Sequence, residues 1–564
     1  MANKSLFASV SSSVVAPAVE TKNNAGGDAY FFTNKQMLAQ IAATNCFNNT
    51  YYSSSEENLE LAKKAVLNLK NDPEFVAKTA IYCRDKAYMK DMPAFLLVAL
   101  ITWGETKLFR KVFDIVIDNG KMLRNFVQIG RSGVLGKKIN MSSGAVRSAI
   151  NNWFKNKNSN YIFRASIGND PSMKDILKMA RPKPDTPEKA ALFAYLLGNE
   201  FDQKTNSFIT KKKGGEVLYS NSYDNLPDIV KNYENFKKTH DGEIPNVDFR
   251  MLDSVLTKEE LAKLWSKQAE IASWTTTRMN LNNFAKYDVF SNKTLTNKIV
   301  ERLSNKDNVI NSRCYPYQLL TAYLNTDSAP AVVREALQDA MEHSLINIPE
   351  IKGGVDICVD TSGSMSSAIT GSRGTATSKV TCVQVASLFA SALLRKNKLA
   401  TVVPFDTVVH KCDLNPRDSV MSNATKLASY GGGGTDISSA VRHLNNHKST
   451  SNTLIIISDN ESWYQLANLY GSSRGTGLMQ EWSIFKKRNK DAKLIVIDLI
   501  PRNNSQVNED KSILQIGGFG DQVFDVISSF VENSDSKNHW VDIISKVSLD
   551  DKSKNDNLST EELT

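Results

Sequence analysis

A helical half followed by a doubly wound α/β half is the architecture the sequence predicts. Three observations predict it. From about residue 56 to 345 apolar residues recur at spacings of three and four, the period of a helix face. After Gly353-Gly354 they gather into short, near-continuous blocks that alternate with helical stretches, the pattern of a parallel sheet covered on both faces. The net positive charge is confined to the first half. A chain of 564 residues can bury more than one core. Its 41% hydrophobic and 23% charged residues exclude wholesale disorder, and no run approaches the ~18 apolar residues a spanning helix needs.

Taken in order, residues 1–28 read as a flexible lead-in. The apolar character of 6–19 is broken by serines, and Lys4 is the only charged side chain before it, so it does not make a secretory signal. A helical domain follows over 29–348. Leu59, Ala62, Val66 and Leu69 share one face of a helix over 57–70. Pro73 suits a first turn, as does Pro187 behind Thr186 as N-cap. Further helices are expected at 92–103, 105–118 and 142–155, and Thr257 with Glu260 has capping-box spacing. Such a series of amphipathic helices with few strand signals suggests an α-solenoid, although no clean repeat is visible. The α/β domain is expected over 349–548. Its strands are Val355–Val359, 399–405, 453–458 and 494–500, and its helices 379–396, 436–447, 478–489, 521–531 and 539–547. Residues 549–564 form a polar tail.

Charge sharpens the division. Residues 121–183 hold thirteen Lys/Arg against only Asp170 and Asp175, whereas 346–564 are almost neutral. Acids are nearly absent from that basic stretch, which favours a polyanion site over an ordinary solvated surface. The basic residues singled out for the phosphates of such a polyanion are Lys137, Lys138, Arg147, Lys155, Arg164, Lys174, Lys178 and Arg181.

The second half carries a metal constellation. Asp360-Thr361-Ser362-Gly363-Ser364 follows the first strand directly, and in a doubly wound sheet ligands bind beyond the carboxyl ends of the strands. A carboxylate and two hydroxyls at i, i+2, i+4 can point at one hard cation. Thr435, behind the glycines 431–434, and Asp459, at the end of a later strand, can supply further oxygens. Few carboxylates, several hydroxyls and no His/Cys cluster select Mg²⁺ over Zn²⁺. Six scattered cysteines without a C-x-x-C pair point to a reducing, cytoplasmic setting.

Other signals are set aside. Gly130 to Lys138 has five residues between its outer glycines and no Ser/Thr after Lys137, so it is not a nucleotide-binding P-loop. The His443/His447 pair at i, i+4 lacks an adjacent Glu motif and reads as surface packing. Trp153, Phe163 and Trp274 at helical spacing read as core rather than base-stacking residues. No catalytic order of residues stands out, and no enzyme activity is expected.

The second half resembles the von Willebrand factor type A domain. Its metal-ion-dependent adhesion site of the D-x-S-x-S form, with a Thr and an Asp, corresponds here to Asp360, Ser362, Ser364, Thr435 and Asp459. Across residues 30–545 the chain resembles the Ro autoantigen family. The matching segments include Tyr51-Tyr52, Arg147-Ser148-Ala149-Ile150, Ser172 to Lys178, Arg181-Pro182-Lys183-Pro184, Arg313 to Leu320 and Gly517-Gly518-Phe519. This resemblance implies a TROVE module, a ring of HEAT-like helical repeats closed by the type A domain. It also implies small noncoding Y RNAs and the loose 3′ ends of misfolded RNAs as partners, with neither DNA nor membrane expected. Where the family has a histidine in its S-x-K-D motif this chain has Met173, so that contact is not carried over. The alternative reading is a metal-dependent scaffold whose type A face receives a protein partner.

Overall fold

The computed structural model describes residues 16–550 except 51, 212–214, 241–242, 253–254, 313, 315, 349, 374–375, 378–379, 463–474, 521 and 533–535. Strands β1 (Thr21–Lys22) and β2 (Asp28–Phe31) open it. Next come β3 (Glu200–Asp202), β4 (Ser207–Lys211) and β5 (Val217–Ser222). The second half holds β6 (Val355–Asp360), β7 (Ser372–Arg373), β8 (Ala376–Thr377), β9 (Ala400–Phe405) and β10 (Thr453–Ser458). It ends with β11 (Lys493–Asp498), β12 (Asn504–Ser505) and β13 (Ile513–Gly517). All other regular elements among the described residues are helical.

The expected helix starts are present for the expected reasons. Pro73–Asp85 begins at Pro73 with Asp72 as its N-cap, and Pro187–Leu197 is capped by Thr186. Thr257 and Glu260 form a reciprocal capping box at the head of Lys258–Ile271, each satisfying a backbone N–H that the first turn leaves open. Helix Thr106–Val116 buries Phe109, Val112, Phe113 and Val116 at i, i+3, i+4 and i+7. Phe109 and Phe113 pack with Phe126 of the following helix at ring separations of 5.3–5.7 Å. Each such buried ring contributes roughly 1.5–3 kcal/mol through removal from water. The helical half also contains strands the sequence reading did not anticipate: β3, β4 and β5 form an antiparallel sheet.

The chain folds as two compact units, and these cut across linear order. One holds residues 69–312 and 325–336; the other holds 16–68, 313–324 and 337–546. The second unit is built on a five-stranded parallel sheet in the order β13-β11-β10-β6-β9. Every residue of β6 and of β10 is buried, which accounts for the largely apolar runs VDICV and TLIII. Helices Cys382–Lys396, Ile437–Asn446 and Gly477–Arg488 connect successive strands. The edge strand β13 is a further element that the sequence reading missed. Residues 16–28, part of the 1–28 expected as a flexible lead-in, are instead tied into this unit: β1 pairs with β2, β2 pairs with β12, and the adjoining Tyr30 is 1% exposed within the core beside Trp482 and Val507.

Candidate functional site

Parallel pairing brings the carboxyl ends of β9, β6, β10 and β11 side by side, and each ends at or just before an acid. These are Asp406, Asp360, Asp459 and Asp498. At the centre, Asp360 closes β6 fully buried, with the Ser362 N–H donating to Oδ1 at 2.9 Å and the Ser458 hydroxyl to Oδ2 at 2.5 Å. The chain then turns through a short 3₁₀ segment, Gly363–Ser366, that sets the Ser362 and Ser364 hydroxyls 3.3 Å apart. Asp459 lies 3% exposed beside the Ser364 hydroxyl.

Thr435 reaches the site on the glycine loop. The Gly432 N–H donates to the Thr361 carbonyl at 2.8 Å, and the Gly363 N–H to the Gly433 carbonyl at 2.9 Å, so the two loops are pinned to each other. Gly431 has φ +82°, and a Cβ there would stand 2.2 Å from the Thr361 carbonyl oxygen. Only glycine permits both the left-handed backbone and the close approach. Asp406 receives the Gly433 N–H at 3.2 Å and pairs with His410 at 3.1 Å, holding the far side of the loop. Asp360, Ser362, Ser364, Thr435 and Asp459 are all buried.

Electrostatics at this point favour a cation. Burial, and then the neighbouring Asp459 charge, push the Asp360 carboxyl up to about 7. Burial raises Asp459 as well, and burial with Asp459 raises Glu461 to about 7. Asp498, buried on the next strand, is raised well above the carboxylate range by burial and the same neighbours, with Oδ2 unpartnered. The buried Arg502 faces these acids, and its guanidinium also donates to Asn58 at 2.8 Å and to Thr50. Asn460, next to Asp459, has φ +61° and a buried side-chain amide with no partner at either atom. Crowded buried carboxylates, converging hydroxyls and an orphaned amide make a donor set that fits a hard divalent cation. Sequence reasoning missed Asp498, Glu461 and Arg502. The acid at the end of the apolar block LIVID was the available signal for Asp498, and Glu461 follows Asp459 by two residues; Arg502 is brought in by tertiary packing.

The N-terminal arm supports this loop from behind. Asn23 Nδ2 donates to the Ser462 carbonyl at 2.7 Å, and the Ala25 N–H donates to Glu461 at 3.2 Å.

In the helical unit, six of the eight basic candidates (Lys137, Lys138, Lys155, Lys174, Lys178 and Arg181) are exposed, and Arg147 and Arg164 are half-buried. Lys137 and Lys138 follow the turn that Gly136 N–H closes on Gly133, after helix Gly120–Ser132, so the glycine-basic segment is an interhelical turn. Ser172 and Asp175 form a capping box that presents Lys174 and Lys178 from helix Met173–Ala180. Arg164 donates to the Asn246 carbonyl at 3.1 Å, whereas the Arg147 Nε is buried without a partner. Met173 is 1% exposed, a core residue where the family has histidine. Trp153, Phe163 and Trp274 are likewise core. Rings His443 and His447 lie 4.1 Å apart, and no group of three metal-ligating His, Cys, Asp or Glu side chains occurs among the described residues.

Comparison with known proteins agrees with both halves. Residues 355–531 match the family model described as the Ro60 vWA domain, and residues 262–336 match that of the TROVE domain. The "RNA-binding protein RO60" of Deinococcus radiodurans is 21% identical over 534 residues, which cover 91% of this chain and 95% of that protein. The crystal structure of the Deinococcus radiodurans RO (RSR) protein superposes with a TM-score of 0.59 at 16% identity, covering 88% of this chain and 98% of that one. That likeness extends the shared fold over nearly the whole length. Over these two stretches the chain is similar, in order, to a TROVE domain and to a Ro60 vWA domain.

Proposed function

We propose that this protein binds RNA through the basic stretch of its helical unit, with noncoding, Y-RNA-like molecules and the single-stranded 3′ ends of misfolded RNA as the class of partner. One observation carries the reading. None of Lys137, Lys138, Arg147, Lys155, Arg164, Lys174, Lys178 and Arg181 lies within ion-pair distance of a carboxylate among the described residues. A surface made basic for solubility alone would interleave acids. This one leaves its charges free to displace counterions from phosphates. The Deinococcus relative's name supports the same reading. Binding by charge needs no sequence readout, since phosphate contacts position an RNA without specifying it.

The proposal extends to the type A site. Asp360, Ser362, Ser364, Thr435 and Asp459 would hold Mg²⁺, which when bound supplies a positive centre able to accept an oxygen from a partner. The chain's own part is to crowd two buried carboxylates and to fix the hydroxyls around them. A protein partner presenting a carboxylate to that face is the second reading, favoured by the completeness of the donor set. The role proposed is binding, in a reducing cytoplasmic setting that suits six free thiols, four of them buried. No helix among the described residues is long and apolar enough to cross a membrane.

The test is an RNA titration of wild type beside Lys174→Glu/Lys178→Glu and Lys486→Glu/Lys487→Glu. The first pair should lose at least tenfold in affinity and the second should change little. Equal losses would refute the assignment to the basic stretch.

A further inference from the structure

The hairpin of β1 and β2 ends in the turn Asn23-Asn24-Ala25-Gly26-Gly27, whose tip lies against the chain that follows Asp459. Asn23 closes this turn with its own side chain. Its Oδ1 accepts the Gly27 N–H at 2.7 Å, its backbone N–H donates to the Gly27 carbonyl at 2.8 Å, and Gly26 supplies a left-handed φ of +88°. With Oδ1 engaged inside the turn, Nδ2 points outward and donates to the Ser462 carbonyl at 2.7 Å. The N–H groups of the tip face Glu461: Ala25 donates to its carboxylate at 3.2 Å, and Asn24 adds a second backbone donor. Asn23, Glu461 and Ser462 are all buried, so water is no substitute for these bonds.

Ser462 passes that contact on. Its hydroxyl donates to the Thr435 carbonyl at 3.3 Å and accepts the Ile437 N–H at 3.2 Å, at the head of helix Ile437–Asn446. On the other side, the Glu461 N–H donates to Asp459 Oδ1 at 3.3 Å. The pair Glu461-Ser462 therefore joins the two proposed ligands that the D-x-S-x-S loop does not supply, Thr435 and Asp459, which arrive on separate loops. The arm meets the chain again at Gly475 and Thr476. Gly475 has φ +82°, and a Cβ there would stand 2.7 Å from Ala16 Cβ and 2.8 Å from the Pro17 carbonyl oxygen. The Tyr30 hydroxyl accepts the Thr476 N–H at 3.3 Å and donates to the Pro17 carbonyl at 2.9 Å.

A small hard cation tolerates little error in the placement of its oxygens, because it demands near-octahedral geometry. Groups that orient ligands from behind accordingly change metal affinity on the order of 10–100-fold when they are removed. We propose that the hairpin tip at Asn23 is a positioning element of the type A site: through Ser462 it fixes Thr435 and Asp459 relative to each other, and so sets the affinity of the site for its cation. Asn23 acts as a positioning residue, not as a ligand. The inference rests on the metal reading of Asp360, Ser362, Ser364, Thr435 and Asp459. It gives a function to an arm that stands 439 residues ahead of Ser462 in the chain.

The test titrates the full chain with Mn²⁺, read by calorimetry and by the electron paramagnetic resonance lines of the bound ion, with Tm in EDTA measured for each variant. Asn23→Ser keeps an oxygen for the Gly27 N–H but brings no donor as far as the Ser462 carbonyl. It should weaken Mn²⁺ binding at least fivefold and broaden the lines of the bound ion. Ser462→Ala should do the same, and Ser462→Thr, which restores the hydroxyl, should recover most of the lost affinity. Leu514→Ala, at a buried position of β13, measures plain destabilisation: Tm should fall while Mn²⁺ affinity stays unchanged. A wild type without saturable Mn²⁺ binding would overturn the metal reading and this inference together. Saturable wild-type binding with unchanged affinity and line shape in folded Asn23→Ser would overturn the inference alone. So would a loss of affinity in Leu514→Ala as large as that in Asn23→Ser for an equal fall in Tm.

Discussion

At the scale of single residues, the chemistry of the type A site rests on carboxylates that burial makes expensive to ionise. Asp360→Ala removes the one acid between 360 and 364, and a methyl group replaces neither its charge nor its hydrogen bonds to Ser362 and Ser458. Divalent-cation affinity should fall at least a hundredfold by calorimetry, and equal affinity in the two proteins would refute the ligand assignment. The raised carboxyls also set the pH dependence. Asp360, held near 7 chiefly by burial and then by Asp459, binds its proton more tightly in the fold than in the unfolded chain. The metal-free fold therefore loses stability from this group as pH rises from about 4 to 7, whereas a bound cation displaces the proton and offsets the repulsion. The rise in Tm on adding Mg²⁺ should be larger at pH 8 than at pH 5.5. A rise that shrinks with increasing pH would contradict this. Gly431→Ala should cost about 2 kcal/mol or more, because the new Cβ meets the Thr361 carbonyl in a left-handed conformation.

At the scale of elements, what the sequence disclosed depended on whether the cause was local. Capping at Thr257 and Glu260, and the prolines at 73 and 187, act within one turn, and the helices begin where those residues placed them. The loop proposed to hold a metal was equally legible as a cluster, since Asp360, Ser362 and Ser364 lie within five consecutive residues and Asp459 follows an apolar block that reads as a strand. Elements stabilised by distant partners were not legible. Strand β13 has Gln515 at its centre and is held as a strand by pairing with β11. The short β2 owes its place to β12, nearly five hundred residues later. Arg502 gains its role from Asn58 and Thr50, at the other end of the chain. The S-x-K-D motif proves to be local in cause as well: Ser172 and Asp175 cap the helix that displays Lys174 and Lys178. Ser172→Ala should cost about 1 kcal/mol in thermal unfolding and weaken RNA binding only modestly. A loss in RNA affinity as large as that of the Lys174/Lys178 reversal would mean that the serine itself contacts RNA.

At the scale of the whole molecule, charge and metal chemistry are assigned to different parts of the chain. The basic candidates all lie between residues 137 and 181, and the proposed oxygen ligands between 360 and 459. Asp360→Ala should therefore leave RNA affinity within about twofold of wild type at fixed salt, measured on protein shown to be folded. The central claim is that unpaired Lys and Arg side chains bind RNA through its phosphates. Its most direct test is the salt dependence of single-stranded RNA affinity, followed by fluorescence anisotropy from 50 to 300 mM KCl. With four to six phosphate contacts, log affinity should fall against log salt with a slope of roughly −3 to −4. Lys174→Glu/Lys178→Glu should flatten that slope by one to two. A nearly flat response in the wild type would contradict the account.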